Sequence, residues 1–245
     1  MRALGPLAVA ALLALAPGAL ARERALGIDV SRFQEAIEWP LVGETEVEFA
    51  FVQASRGSGA DCSVKPKRCG ADHFYERNYH GALAEGIRVG AYHRAFVGGD
   101  GRRDVKRDAA AEAELFVTQV GELGRRDLLP ALDVESPFAG LDARELRIWI
   151  RVWVERVREE LGERPIIYTS ATSWQATGDT TEFARRGHRL WVAHWGVGDP
   201  DVPAADWHGQ GWSVWQYTND GRVRGIDGRV DLNRLRVGFR KIAAR

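Results

Sequence analysis

Residues 128–136 read "LLPALDVES", an apolar run that ends on two carboxylates, Asp133 and Glu135, separated by Val134. As a strand, the segment puts Leu129, Ala131, Asp133 and Glu135 on one face and Leu128, Leu132 and Val134 on the other, because successive side chains alternate. If the second face packs under helices, the first points into a barrel. Both acids then stand at its C-terminal mouth, where such barrels place their chemistry. Pro130 removes a ladder donor, so irregular pairing is expected there.

Strand and helix patterns alternate along most of the chain. "ALGIDVS" and "EFAFVQAS" are strand-like, and residues 72–85 read as a helix with Asp72 as its N-cap and Gly86 just past its end. "IRVGAYH" is another strand, followed by an Ala-rich helix over residues 104–120. The clearest helix spans residues 142–161. Leu146, Trp149, Ile150, Trp153, Val157 and Leu161 recur at steps of three and four, Asp142 and Glu145 form a capping box, and Gly162 ends it. "RPIIYTS" and "RLWVAHW" are further strands. The last third lacks a helical period and carries Asn219-Asp220-Gly221 between β-rich runs, which predicts a hairpin. Repeated strand–helix units imply parallel strands joined by crossovers. The expected fold is therefore α/β, a barrel that begins as strand–helix repeats and finishes in strands. An open doubly wound sheet is the alternative, but no Gly-rich phosphate loop follows the first strand.

Two residues of rise separate the Cα atoms of Asp133 and Glu135 by roughly 6.5–7 Å. That spacing suits two acids flanking one scissile bond, as in glycoside hydrolysis, with one carboxyl protonating the leaving oxygen and one anion facing the cationic sugar. Crowded like charges raise the proton affinity of one of them. The same triplet also fits ordinary loop acids, one capping the next helix, or a metal site. Two further acids sit at strand ends: Asp29 in the first strand and Asp231 at the start of the last. A closed barrel makes those strands neighbours, so four acids converge on one mouth.

The 245 residues carry 34 Lys+Arg against 34 Asp+Glu, a formal net charge of zero. No basic field calls for nucleic acid. Residues 1–21, "MRALGPLAVAALLALAPGALA", combine an early cation, a long apolar stretch, a Pro-Gly break and a small-x-small end, the pattern of a cleaved export signal. An uncleaved membrane anchor is the other reading. Either way, the domain of residues 22–245 is expected to be exported, in the periplasm or outside the cell, with no membrane contact after cleavage. In an oxidising compartment Cys62 and Cys69, in a polar loop, are expected to form a local disulfide.

Taken in order, "GIDVSRFQ", "FAFVQAS", "FYERNYHGALAEGIRVGAYH", "LPALDVES", "RPIIYTS", "LWVAHW", "VWQYT" and "VDLNRL" resemble the glycoside hydrolase family 25 lysozymes, the Chalaropsis-type N-acetylmuramidases, nearly end to end over residues 22–245. The resemblance implies a modified TIM-like barrel of five strand–helix units followed by three strands. It implies cleavage of the β-1,4 bond between N-acetylmuramic acid and N-acetylglucosamine in peptidoglycan, without cofactor or metal. It places the acidic site on Asp29, Asp133, Glu135 and Asp231. Glu135 matches the general acid, and Asp133 matches a partner that orients the substrate's acetamido group so that its carbonyl oxygen attacks. Two positions depart from the family pattern: Arg56 stands where a Glu is common, and Arg94 where an aromatic commonly follows Tyr-His.

Tyr92, Tyr168, Trp195, Trp215 and Tyr217, near strand ends, are candidate sugar platforms. By alternation Trp191, Ala193 and Trp195 share a face, as do Ser213, Trp215 and Tyr217. Trp149 and Trp153 belong to the core, and His93 and His194 are expected to be hydrogen-bonded structural residues. A barrel that binds cell-wall glycan without cutting it is the competing function. A chitinase-like reading lacks its longer acidic ladder, since Ala131 stands two before Asp133.

Overall fold

A computed structural model describes residues 24–57 and 69–245. The expected export signal of residues 1–21 and the Cys62 end of the expected Cys62–Cys69 bridge lie outside the described residues. Nine strands form one sheet: β1 Leu26–Val30, β2 Val47–Arg56, β3 Gly70–Ala71, β4 Arg88–Arg94, β5 Ala131–Asp133, β6 Ile166–Thr169, β7 Leu190–Ala193, β8 Val214–Gly221 and β9 Val230–Leu235. The order is β1-β9-β8-β7-β6-β5-β4-β2-β3, and an extra β1–β2 pairing closes all but β3 into an eight-stranded barrel. Within the barrel the pairings among β1, β2 and β4 to β8 are parallel, whereas β9 runs antiparallel to both β8 and β1, and the short β3 runs antiparallel to β2. This is the α/β barrel expected from the alternation of strand and helix patterns. Helices follow the first five barrel strands, a short helical segment at Pro203–Gly209 follows the sixth, and the last two complete the wall.

Alternation divides the apolar side chains between two cores. Phe49, Phe51, Ala131, Ile166, Trp191, Val214 and Leu235 fill the barrel. Ala50, Val52, Val89, Leu132, Val134, Ile167 and Val192 face the helices. Gly90 makes room inside: a Cβ there would lie 2.4 Å from the Phe51 ring, which stacks on Trp191 with centroids 4.4 Å apart. Outside, the helices Gly101–Val120 and Ala143–Leu161 pack on each other, and Trp149 Nε1 donates to Asp108 Oδ2 at 2.8 Å. Asp142 and Glu145 form the expected capping box, and Gly162 takes the left-handed C-cap conformation.

Three local expectations are corrected. The helix expected over residues 72–85 is Tyr75–Ala84. The Asp72 carboxylate accepts from Phe74 N and also from Arg32 N, 40 residues away, so it braces a turn and ties down the first loop. The β8–β9 turn is not at Asn219–Gly221. Strand β8 runs through these residues, and the connection is 222–229. Finally, Leu128 packs inside with Leu129, because regular pairing begins only after Pro130, at Ala131.

Candidate active site

The four acids come together at one mouth of the barrel. Asp29 belongs to β1, Asp133 is the last residue of β5, and Glu135 lies two residues beyond it. Because β9 runs against its neighbours, its start, with Asp231, reaches the same mouth as the ends of the parallel strands. All four line a cavity of about 210 Å³ together with Phe33, Gln53, Arg56, Tyr92, Arg94, Tyr168, Trp191 and Gln216.

Asp29 and Asp231 are direct Cα partners across β1–β9. Opposed residues in an antiparallel ladder lie close, and here the two carboxyl groups hydrogen-bond each other. Burial first, and then the charge of Asp29, push Asp231 up to about 8. Burial likewise raises Asp29, to about 6, but hydrogen bonds from Asn233 and Gln216 favour its anion. Gln216 Nε2 donates to both Asp29 oxygens, at 3.2 and 3.0 Å, and Asn233 Nδ2 donates to Oδ2 at 2.7 Å. Asp231 is therefore the partner that holds the shared proton.

Both amides are themselves oriented by ring donors. Trp191 Nε1 donates to Asn233 Oδ1 at 2.7 Å. Tyr168 Oη and Trp195 Nε1 each donate to Gln216 Oε1 at 2.9 Å. With their oxygens occupied, the amides can only turn NH₂ groups toward Asp29.

Asp133 and Glu135 are bridged by a cation. Arg94 Nε lies 3.4 Å from Asp133 Oδ2 and 3.1 Å from Glu135 Oε1. The rest of its guanidinium donates to the carbonyls of Ala95, Glu135 and Ser136. Burial raises Asp133 well above the usual carboxylate range, and Arg94 opposes that rise. Asp133 Oδ1 is buried without a hydrogen-bond partner. The Glu135 side chain is 40% exposed and reaches the mouth. The expected crowding of like charges is thus partly relieved by Arg94, which the sequence marks only as a departure.

The aromatic candidates separate. Tyr92 and Tyr168 line the cavity. Trp195 is 48% exposed beside it, tethered through Gln216. Trp215 is a correction: it is 2% exposed, packs in the helix-side core and donates Nε1 to His194 O, so it offers no face to a sugar. Tyr217 leans on the same outer core with Arg234 over its ring, also away from the cavity lining. Their strand turns Gln216 inward instead. His93 is fully buried, held neutral by burial, between Ser55 Oγ and Glu112 Oε2, each at 2.8 Å. His194 Nδ1 accepts from Asp201 N. No group of three or more potential ligands among the described residues is placed to hold a metal ion.

Residues 28–226 match the family model described as glycosyl hydrolases family 25. The chain is 32% identical over 226 residues to lysozyme M1 of Streptomyces globisporus, covering 89% of this chain and 70% of that one. Among solved structures it superposes on the bacterial lysozyme of Streptomyces coelicolor with a TM-score of 0.76 and 30% identity, covering 90% of this chain and 96% of that one. It also superposes on a muramidase from Acremonium alcalophilum, with a TM-score of 0.70 and 25% identity, over 88% and 95% of the two chains.

Proposed function

The chain belongs to glycosyl hydrolase family 25, and from that premise we propose that it is a lysozyme cutting the β-1,4 bond between N-acetylmuramic acid and N-acetylglucosamine at the four-acid mouth. The observation that carries this reading is the pairing of a half-exposed Glu135 with a buried Asp133 whose Oδ1 has no partner. An acetamido N–H of the bound sugar supplies the missing hydrogen bond to Asp133 Oδ1, and Arg94 supplies the countercharge. The acetamido carbonyl oxygen, turned by that contact, bonds to the anomeric carbon as the bond to the leaving oxygen breaks. Glu135, beyond the strand end, gives its proton to that oxygen. Water then opens the cyclic intermediate and returns a proton to Glu135.

Asp29 and Asp231, with one proton between them, form a charge reservoir facing the same cavity. Tyr92, Tyr168 and Trp195 offer surfaces for the sugars. No described helix is long and apolar enough to cross a membrane, and the leader-like residues 1–21 support action outside the cytoplasm on cell-wall glycan. The test is incubation with purified peptidoglycan. New reducing ends on N-acetylmuramic acid are expected; ends on N-acetylglucosamine would make this a different hydrolase, and binding without any new ends would make it a glycan-binding barrel.

A further inference from the structure

Three arginines gather near one edge of the mouth, and they differ in what holds them. Arg32 is tied to Asp72 and to the carbonyl of Ala71. Arg94 is consumed by two carboxylates and three carbonyls. Arg56, the last residue of β2, also lines the cavity. Yet no described residue accepts a hydrogen bond or an ion pair from it, and its Nε is buried without a partner.

Its position is nevertheless built. The guanidinium carbon lies 4.9 Å from the centroid of Phe96 and 5.7 Å from that of Phe33. The rings restrict the guanidinium without accepting its hydrogen bonds. Arg56, Arg94, Asp133 and Tyr168 are successive Cα partners across β2, β4, β5 and β6. Arg56 therefore stands two strand spacings, roughly 10 Å, from Asp133 along the rim, within reach of a substituent on a sugar seated over the acids. The nearby charges of Arg32 and Arg94 make its surroundings more positive, and the more distant Asp133 offsets only part of that. A fixed guanidinium fork with no paired carboxylate among the described residues, at the rim of a cleft that holds four acids, selects one chemistry, a planar anion able to take two parallel N–H bonds.

We propose that Arg56 forms a carboxylate-binding subsite for the muramoyl half of the substrate. The carboxylate is either that of the 3-O-lactyl group or that of a peptide joined through it. The subsite rests on the reading of the mouth as a peptidoglycan-cutting cleft and adds to it a reason to prefer charged sugars, since N-acetylglucosamine offers no such group.

The decisive measurement is direct binding, which needs no turnover. N-acetylmuramic acid, its neutral methyl ester and N-acetylglucosamine are titrated into the wild-type protein and into Arg56→Gln and Arg56→Lys, with chemical shifts or heat as the readout. N-acetylmuramic acid is expected to bind more tightly than its ester. Arg56→Gln should weaken it about ten- to a hundredfold, the range of one charged hydrogen-bond pair, and leave the ester unchanged, while Arg56→Lys restores only part. Equal losses for acid and ester would make Arg56 a wall residue and overturn the proposal, as would equal binding of acid and ester by the wild type. Cleavage assays then separate the two sources. If amidase-stripped strands, with the lactyl carboxylate free, show the rise in KM in Arg56→Gln, that carboxylate is the ligand; if only strands bearing stem peptides do, the peptide supplies it. Charge-dependent binding with no cleavage of any peptidoglycan would keep the subsite and sink the lysozyme reading instead.

Discussion

Asp29 and Asp231 face each other as Cα partners in the antiparallel ladder that closes the barrel, so the seam of the fold and the crowding of two carboxylates are one contact. A group whose proton affinity is raised by folding stabilises the protein at pH values where it is protonated, and that contribution fades as pH rises through the folded value.

For Asp231 the fading runs from above the ordinary Asp range, 3.8, to about 8. Stability is therefore expected to fall across that window, and Asp231→Asn to flatten the fall. At pH 9 the variant should be more stable than wild type by on the order of 1–2 kcal/mol, well short of the full shift because two carboxyls share one proton. Urea unfolding at pH 5 and pH 9 checks this; parallel pH dependence in the two proteins would refute it.

Glu135→Gln keeps shape but has no acidic proton to give. Turnover on peptidoglycan should drop by about 10² to 10⁴. The fold should lose no more than about 1 kcal/mol, since the Arg94 pair it breaks is partly exposed. A folded variant retaining more than about a tenth of wild-type turnover would remove Glu135 from the acid role.

Asp133 is proposed to act as an anion, and burial raises its proton affinity. The acid limb of the pH–rate profile is thus expected above the usual carboxylate range. Arg94→Met, which removes the opposing cation, should move that limb to still higher pH. A limb that stays in place, or moves down, would contradict the assignment.

Trp191→Phe preserves a ring against Phe51 but loses the Nε1–H that fixes Asn233. Folding stability should fall by about 1–2 kcal/mol. The Asn233 amide is then free to turn, so Asp29 loses a hydrogen bond to its anion and its titration by NMR should move upward. An unmoved titration would show that Asn233 needs no such brace.

Gly90→Ala puts a Cβ 2.4 Å from the Phe51 ring and 3.1 Å from Leu128 Cβ. Overpacking of a filled core costs about 1–3 kcal/mol, and Phe51→Val in the same chain should recover part of it. Thermal unfolding of the single and double variants reads the coupling.

The helix Ala143–Leu161 was legible because its apolar period, capping box and closing glycine all agree. The four acids were legible because charge at the end of an apolar strand is conspicuous. Trp215 was misplaced for a physical reason: strands of a helix-covered barrel are apolar on both faces, so alternation sorts residues into sets without saying which set is inside. Gln216 and Asn233 escaped notice because amides carry no charge. Their signal was positional, since Asn233 lies two residues from Asp231 and so shares its face. The direction of Arg94 depends on a rotamer and on three carbonyls that only the folded loop assembles.

The ladder between β1 and β9 joins Asp29 to residues distant in sequence: Asn233, its donor, follows 204 positions later. A nascent chain still short of Asp231 holds Asp133 and Glu135 but has neither a closed rim nor the second member of the aspartate pair. The four-acid mouth is therefore complete only once β9 has paired with β1. A chain truncated before β9 is accordingly expected to keep Asp133 and Glu135 and yet lack the assembled mouth.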